Sequence, residues 1–69
     1  MSKITIHLNG EAREIAAGLT LEGLLAALEL DPRKVAVERN LEIAPRGQYG
    51  QIAIAPGDRL EIVHFVGGG

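Results

Sequence analysis

Hydrophobic and polar positions alternate strictly near the start of the chain. Between Lys3 and Leu8, the residues Ile4, Ile6 and Leu8 point one way and Lys3, Thr5 and His7 the other, which is the period of a half-buried strand. Asn9-Gly10 follows. Both residue types accept positive φ, as a two-residue hairpin turn requires, so a second strand is predicted from about Glu11 to Ala16. Gly18 breaks that strand. Thr20 then stands as an N-cap, with Leu19 before it and Leu24 at the fourth helical position, the spacing of a hydrophobic staple. Gly23 occupies the place where a capping box would put Glu, so no reciprocal cap is expected. Glu22 lies in the first turn, where the helix dipole favours a negative charge. Leu21, Leu24, Leu25 and Leu28 recur at i, i+3, i+4 and i+7, one apolar stripe. Pro32 disfavours helix at the residue before it, which sets the expected helix at about three turns.

The pattern then returns to strand. Val35 to Glu38 reads as a third strand, with a turn at Arg39-Asn40 and a short returning strand over Leu41 to Ile43. Residues 44–50 form a loop with room for one tight helical turn. Ile52 and Ile54 alternate weakly. Pro56-Gly57-Asp58 marks a turn, and Arg59 to Phe65 reads as the last strand. Hairpin, helix, strand, small crossover and final strand make a two-layer α+β arrangement. One main helix covers one face of a mixed sheet of four to five strands, with the first and last strands at its centre. That element order predicts a β-grasp architecture.

Alternation divides the last strand. Leu60, Ile62 and His64 share one side; Glu61, Val63 and Phe65 share the other. With Leu60 and Ile62 against the leucine stripe, Val63 and Phe65 fall on the face without a helix. Two outcomes stay open. Contiguous exposed apolar groups there would mark an interaction site; alternatively, loop 44–51 folds over them with Tyr49 as core.

Composition narrows the chemistry. A chain of 69 residues is one domain without space for a lid or a deep cofactor cleft. Hydrophobic residues at 46% and charged residues at 23% place it among globular proteins. The net charge of −2 with scattered basic residues argues against nucleic-acid binding. Cysteine is absent, which removes disulfides, thiolate catalysis and cysteine metal sites. His7 and His64, the only histidines, are too few for a metal site, so none is expected. Ser2 is the only serine and no phosphate-binding glycine loop occurs. Arg46 is either solvated or a contact for an anion. No apolar run is long enough to span a bilayer and the first residues lack a secretory pattern, so the expected location is cytoplasmic, without membrane.

The end of the sequence carries the strongest signal. Val66-Gly67-Gly68-Gly69 has almost no side chain to bury. The expected organisation is a domain over 1–66 and a flexible tail over 67–69. Such a tail can thread a channel that a larger residue would block. Four extended residues reach about 13 Å, at roughly 3.3–3.6 Å each. A terminal carboxylate delivered that way is ionised at neutral pH and a poor electrophile, so it needs activation, for example as an acyl-adenylate.

These residues resemble the ubiquitin-like β-grasp family, and within it the sulfur carriers of thiamine-thiazole biosynthesis. The resemblance rests on Val35-Ala-Val-Glu-Arg-Asn-Leu-Glu-Ile43, on Pro45-Arg46, on Gly57-Asp58-Arg59-Leu60-Glu61-Ile62-Val63 and above all on His64-Phe-Val-Gly-Gly-Gly69. It implies that a ubiquitin-activating-type adenylyltransferase uses ATP to adenylate the Gly69 carboxylate. Sulfur derived from cysteine then gives a thiocarboxylate, a 1-thioglycine at Gly69, which thiazole synthase accepts. Gly67 and Gly68 would thread the tail, and Val63, Phe65 and Val66 would meet the partners. The chain would then be a protein co-substrate with no bound cofactor, not an enzyme. The alternatives are a small subunit of molybdopterin synthase, with the same tail chemistry, and a β-grasp interaction module with an inert tail.

Overall fold

The computed structural model describes residues 2–65. Strands β1 (Lys3–Leu8) and β2 (Glu11–Ala16) form the predicted hairpin, followed by helix α1 (Leu21–Ala27) and strands β3 (Val35–Arg39), β4 (Glu42–Ile43) and β5 (Arg59–His64). One five-stranded sheet has the order β2-β1-β5-β3-β4. The β1–β5 pair is parallel, whereas β1–β2, β3–β4 and β3–β5 are antiparallel. The last strand is therefore central, with β1 beside it. Among the described residues, no helix is long and apolar enough to cross a membrane.

The first hairpin turn has φ of 50° at Asn9 and 85° at Gly10, the two positive values that suit the twist of the flanking strands. Asn9 also reaches the central strand. Its Oδ1 accepts from the Ile62 N–H at 2.8 Å and its Nδ2 donates to the Ile62 carbonyl at 3.4 Å. A side-chain amide thus continues the β1–β5 ladder past the end of β1.

The helix is shorter than its sequence suggests. It spans seven residues, Leu21–Ala27, or about two turns. Glu29 turns left-handed with φ 61°, its N–H donates to the Ala26 carbonyl at 3.0 Å, and the Leu30 N–H donates to Leu25 at 2.8 Å. Those are the paired bonds of a Schellman cap, and they stop the helix before Pro32 is reached. Pro32–Lys34 instead forms a 3-10 turn capped by Asp31. The N-terminus is as predicted: Thr20 Oγ1 accepts from the Gly23 N–H at 3.1 Å. A Cβ at position 23 would meet Leu19 Cδ2 at 3.1 Å, so glycine lets Leu19 lie across the first turn. The Leu21 and Glu22 N–H groups donate to the carbonyls of Ile52 and Tyr49, both at 3.0 Å. The loop therefore caps the helix and is fixed by it.

Three smaller expectations also change. The second hairpin turn sits at Asn40-Leu41, with φ of 52° and 72°, not at Arg39-Asn40. Residues around Ile52 and Ile54 form no strand; Ala53 makes a single bridge to Thr20, and Ile54 is buried as a loop residue. Tyr49 is core, 3% exposed, but its segment packs at the helix N-terminus; Val63 stays exposed, and Arg46 of the loop reaches Phe65.

Asp58 is the one buried charged residue among those described. It accepts from Arg39 Nε at 2.9 Å, Asn40 Nδ2 at 3.1 Å and the Ala55 N–H at 2.9 Å, which ties the second hairpin to the turn before β5. Burial pushes its carboxyl up, but the bonds from Ala55, Asn40 and Arg39 outweigh this and hold it below the usual range. A carboxyl depressed on folding stabilises above its unfolded value, near 3.9, and loses that contribution as pH falls through the folded value. Asp58→Asn should therefore cost about 2 kcal/mol at neutral pH and make stability less steep below about pH 4. Thermal melts of both proteins across that range would check it; parallel curves would remove Asp58 as a source of acid sensitivity.

Candidate functional site: the open sheet face and the root of the tail

Register decides what the uncovered face presents. In the β3–β5 ladder Val37 stands opposite Ile62 and Val35 opposite His64, while Ala36 stands opposite Val63 and Glu38 opposite Glu61. Val35, Val37 and Leu60 are fully buried beneath the helix. Ala36, Glu38, Glu61 and Val63 consequently lie on the other side. Glu38 also stands opposite Ile43, which extends that face across β4. Val63 is 59% exposed, Phe65 47% and Ile43 77%. Val63 and Phe65 are therefore at the surface and not in the core.

Phe65 is the last described residue. Its N–H donates to the Lys34 carbonyl at 2.9 Å, one step past the end of the β3–β5 ladder. Arg46 closes on it from the loop. Nε donates to the Pro32 carbonyl at 3.1 Å and Nη2 to the Val35 carbonyl at 3.0 Å, and the guanidinium carbon lies 5.6 Å from the centre of the Phe65 ring. Arg46 is thus neither merely solvated nor a free anion contact. It ties the loop to the start of β3 and stacks on the last described side chain. Val66, Gly67, Gly68 and Gly69 lie outside the described residues, as does the expected boundary between domain and tail.

The remaining surface offers little chemistry of its own. His7 and His64 lie on opposite faces of the sheet. Among the described residues no three metal-ligating side chains cluster. A shallow depression lined by Arg39, Glu42, Ile43, Ala44, Pro45 and Ile52 contains no nucleophile paired with a base. Ile43 and the two glutamates were not singled out from sequence, although counting through a two-residue turn at Asn40-Leu41 would have put Ile43 on the face of Ala36 and Val63.

A mixed five-stranded sheet with its last strand central, one helix across one face and the other face open, is the ubiquitin-like β-grasp arrangement. The chain belongs to the ThiS family, whose model matches residues 6–69. It is 58% identical over 62 residues to a thiazole synthase of Paramagnetospirillum magneticum, a match covering 90% of this chain and 19% of that one. The chain thus spans about a fifth of the length of that relative. It is 46% identical over 50 residues to the sulfur carrier protein ThiS of Bacillus subtilis, covering 72% of this chain and 76% of the relative. The crystal structure of a thiamine biosynthesis protein (ThiS) from Geobacter metallireducens superposes with a TM-score of 0.82 at 30% identity, covering 96% of this chain and all of that one.

Proposed function

We propose that this chain carries sulfur for formation of the thiamine thiazole, with the Gly69 carboxylate as the carrying group. In the first step a carboxylate oxygen attacks the α-phosphorus of ATP, bound by a ubiquitin-activating-type adenylyltransferase, and pyrophosphate leaves. In the second, hydrosulfide, released from a cysteine-derived persulfide by a thiol reductant that is oxidised to its disulfide, attacks the acyl carbon, AMP leaves, and a thiocarboxylate results. Thiazole synthase then takes the sulfur and the carboxylate returns. The chain acts as co-substrate, and ATP belongs to the activating partner. The roles follow from side-chain size. Gly67 and Gly68 add no width to a threaded segment, while Val63, Phe65 and Val66 supply the apolar contact that holds the body outside.

The observation that carries this reading is an exposed apolar face, Val63 and Phe65, adjoining a run of three glycines in a ThiS-family chain. Similarity to a thiazole synthase and to a sulfur carrier favours the thiazole branch. The test is intact-mass analysis of the chain after incubation with ATP, cysteine, a desulfurase, a thiol reductant and the host's adenylyltransferase. The expected product has one oxygen replaced by sulfur, located to Gly69 by fragmentation and consumed on addition of thiazole synthase. An unmodified mass would return the chain to the inert-module reading. Consumption only by a large molybdopterin synthase subunit would move it to the molybdenum-cofactor branch.

A further inference from the structure

Glu38 and Glu61 stand directly opposite one another in the β3–β5 ladder, on the open face. Like charges at such a pair destabilise a sheet. Among the described residues no ion pair neutralises this one. The ion pairs among the described residues are Arg33–Asp31 and Arg39–Asp58, and neither glutamate joins them. Arg59 shares the strand and the face with Glu61 two residues away but makes no ion pair with either carboxylate.

Toward β4 and toward Phe65 the pair is flanked by apolar groups. Ile43 flanks Glu38 on β4, and Ala36 and Val63 form the next row, with Phe65 beyond. Strands lie about 4.8 Å apart and residues advance about 3.3 Å along a strand. The patch is therefore about 10 Å wide across β4, β3 and β5, and about 13 Å long from Glu61 to Phe65. Two carboxylates sit at one end of it and exposed apolar groups cover the rest.

We propose that this face receives an arginine or lysine side chain of thiazole synthase, set in an apolar surround, with the cation between Glu38 and Glu61. The proposal rests on the thiazole-branch reading and adds to it the charge that the partner must bring. Charge complementarity argues for it. A bound cation turns the repulsion within the pair into two attractions, and a guanidinium can donate to two carboxylates at once. An anionic or purely apolar partner surface would leave both acids desolvated and unpaired. Continuity argues for it as well, since the acids abut the apolar face that leads to the tail. Thiazole synthase is the occupant because a thiazole synthase relative carries within its own chain a stretch 58% identical to this one over 62 residues.

Glu38→Gln and Glu61→Gln separate this from a structural role, because the two effects run in opposite directions. Each substitution relieves the repulsion and should raise the melting temperature by about 2–4 °C. Each should weaken binding of purified thiazole synthase by about tenfold and flatten the dependence of affinity on salt. Glu14→Gln, on the same face of β2 and remote from the patch, should leave affinity unchanged. Titration calorimetry at low and moderate salt reads all three. Unchanged or tighter binding by both glutamine variants, with wild-type binding intact, would overturn the proposal and leave the carrier reading standing. Failure of the wild-type chain to bind thiazole synthase at all would overturn both.

Discussion

Appending one alanine after Gly69 should abolish sulfur transfer. The added residue displaces the terminal carboxylate by roughly 3.3–3.6 Å, whereas reacting atoms must approach to about 3–3.5 Å in alignment. Misplacement by only about 1 Å can cost on the order of 100-fold in rate. The extra methyl group also adds width where Gly67, Gly68 and Gly69 have none. The fold should be untouched, because the described hydrogen bonds are complete by the Phe65 N–H to Lys34. Thiocarboxylate yield by intact mass should fall to background while the melting temperature stays within about 1 °C, an interval far below the 4–8 °C that 1 kcal/mol would produce. Transfer at the wild-type rate would remove the threaded tail from the mechanism.

Phe65→Asp should damage partner binding far more than folding. Phe65 is about half exposed, so the fold gains only part of the 1.5–3 kcal/mol that full burial of such a side chain supplies. What it loses is partly replaced. The Arg46 guanidinium over the ring is held by two backbone carbonyls and remains to meet the new carboxylate. A cation–π contact worth about 0.5–1 kcal/mol gives way to a surface ion pair of similar size. At an apolar interface the same substitution removes an aromatic anchor and buries a charge. The expected loss of affinity is about 30-fold or more, or about 2 kcal/mol, against a stability change within about 1 kcal/mol. If unfolding accounted for the loss, Phe65 would belong to the core.

Local rules carried most of the architecture. Period-two alternation located β1 and β5, Asn9-Gly10 the first turn, and Thr20 with the leucine stripe the helix and its buried side. Each of these depends on neighbours in sequence. The misses depend on contacts between distant segments. Glu29 adopts the left-handed conformation that glycine usually supplies at a helix end, so no residue type announced the early stop. Tyr49 was open to a core role over Val63 and Phe65; it is core instead at the start of α1, where its carbonyl accepts from the Glu22 N–H. Asp58 looked like a turn residue, and its partners Arg39 and Asn40 lie 19 and 18 positions away. The candidate site divides the same way. Val63 and Phe65 followed from alternation along one strand. Ile43 and the Glu38–Glu61 opposition needed the registers of two ladders, which an exact turn position sets. Arg46 was visible as a motif residue, but its two carbonyl acceptors, Pro32 and Val35, lie in the turn before β3 and at its first residue.

The place of β5 in the sheet has a consequence for how the protein comes into being. Before β5 exists, the β1–β2 hairpin and the β3–β4 hairpin share no strand pairing; β5 alone joins them. Synthesis adds residues in order at about 5–20 per second, so the joining strand emerges after both hairpins and the helix. Pairing between such distant segments is also the slow part of assembling a sheet. A nascent chain therefore cannot offer a finished docking face in advance of the segment it serves. The strand that completes the body is the one that leads into the glycines, and an enzyme that gripped both would select finished molecules without any separate inspection.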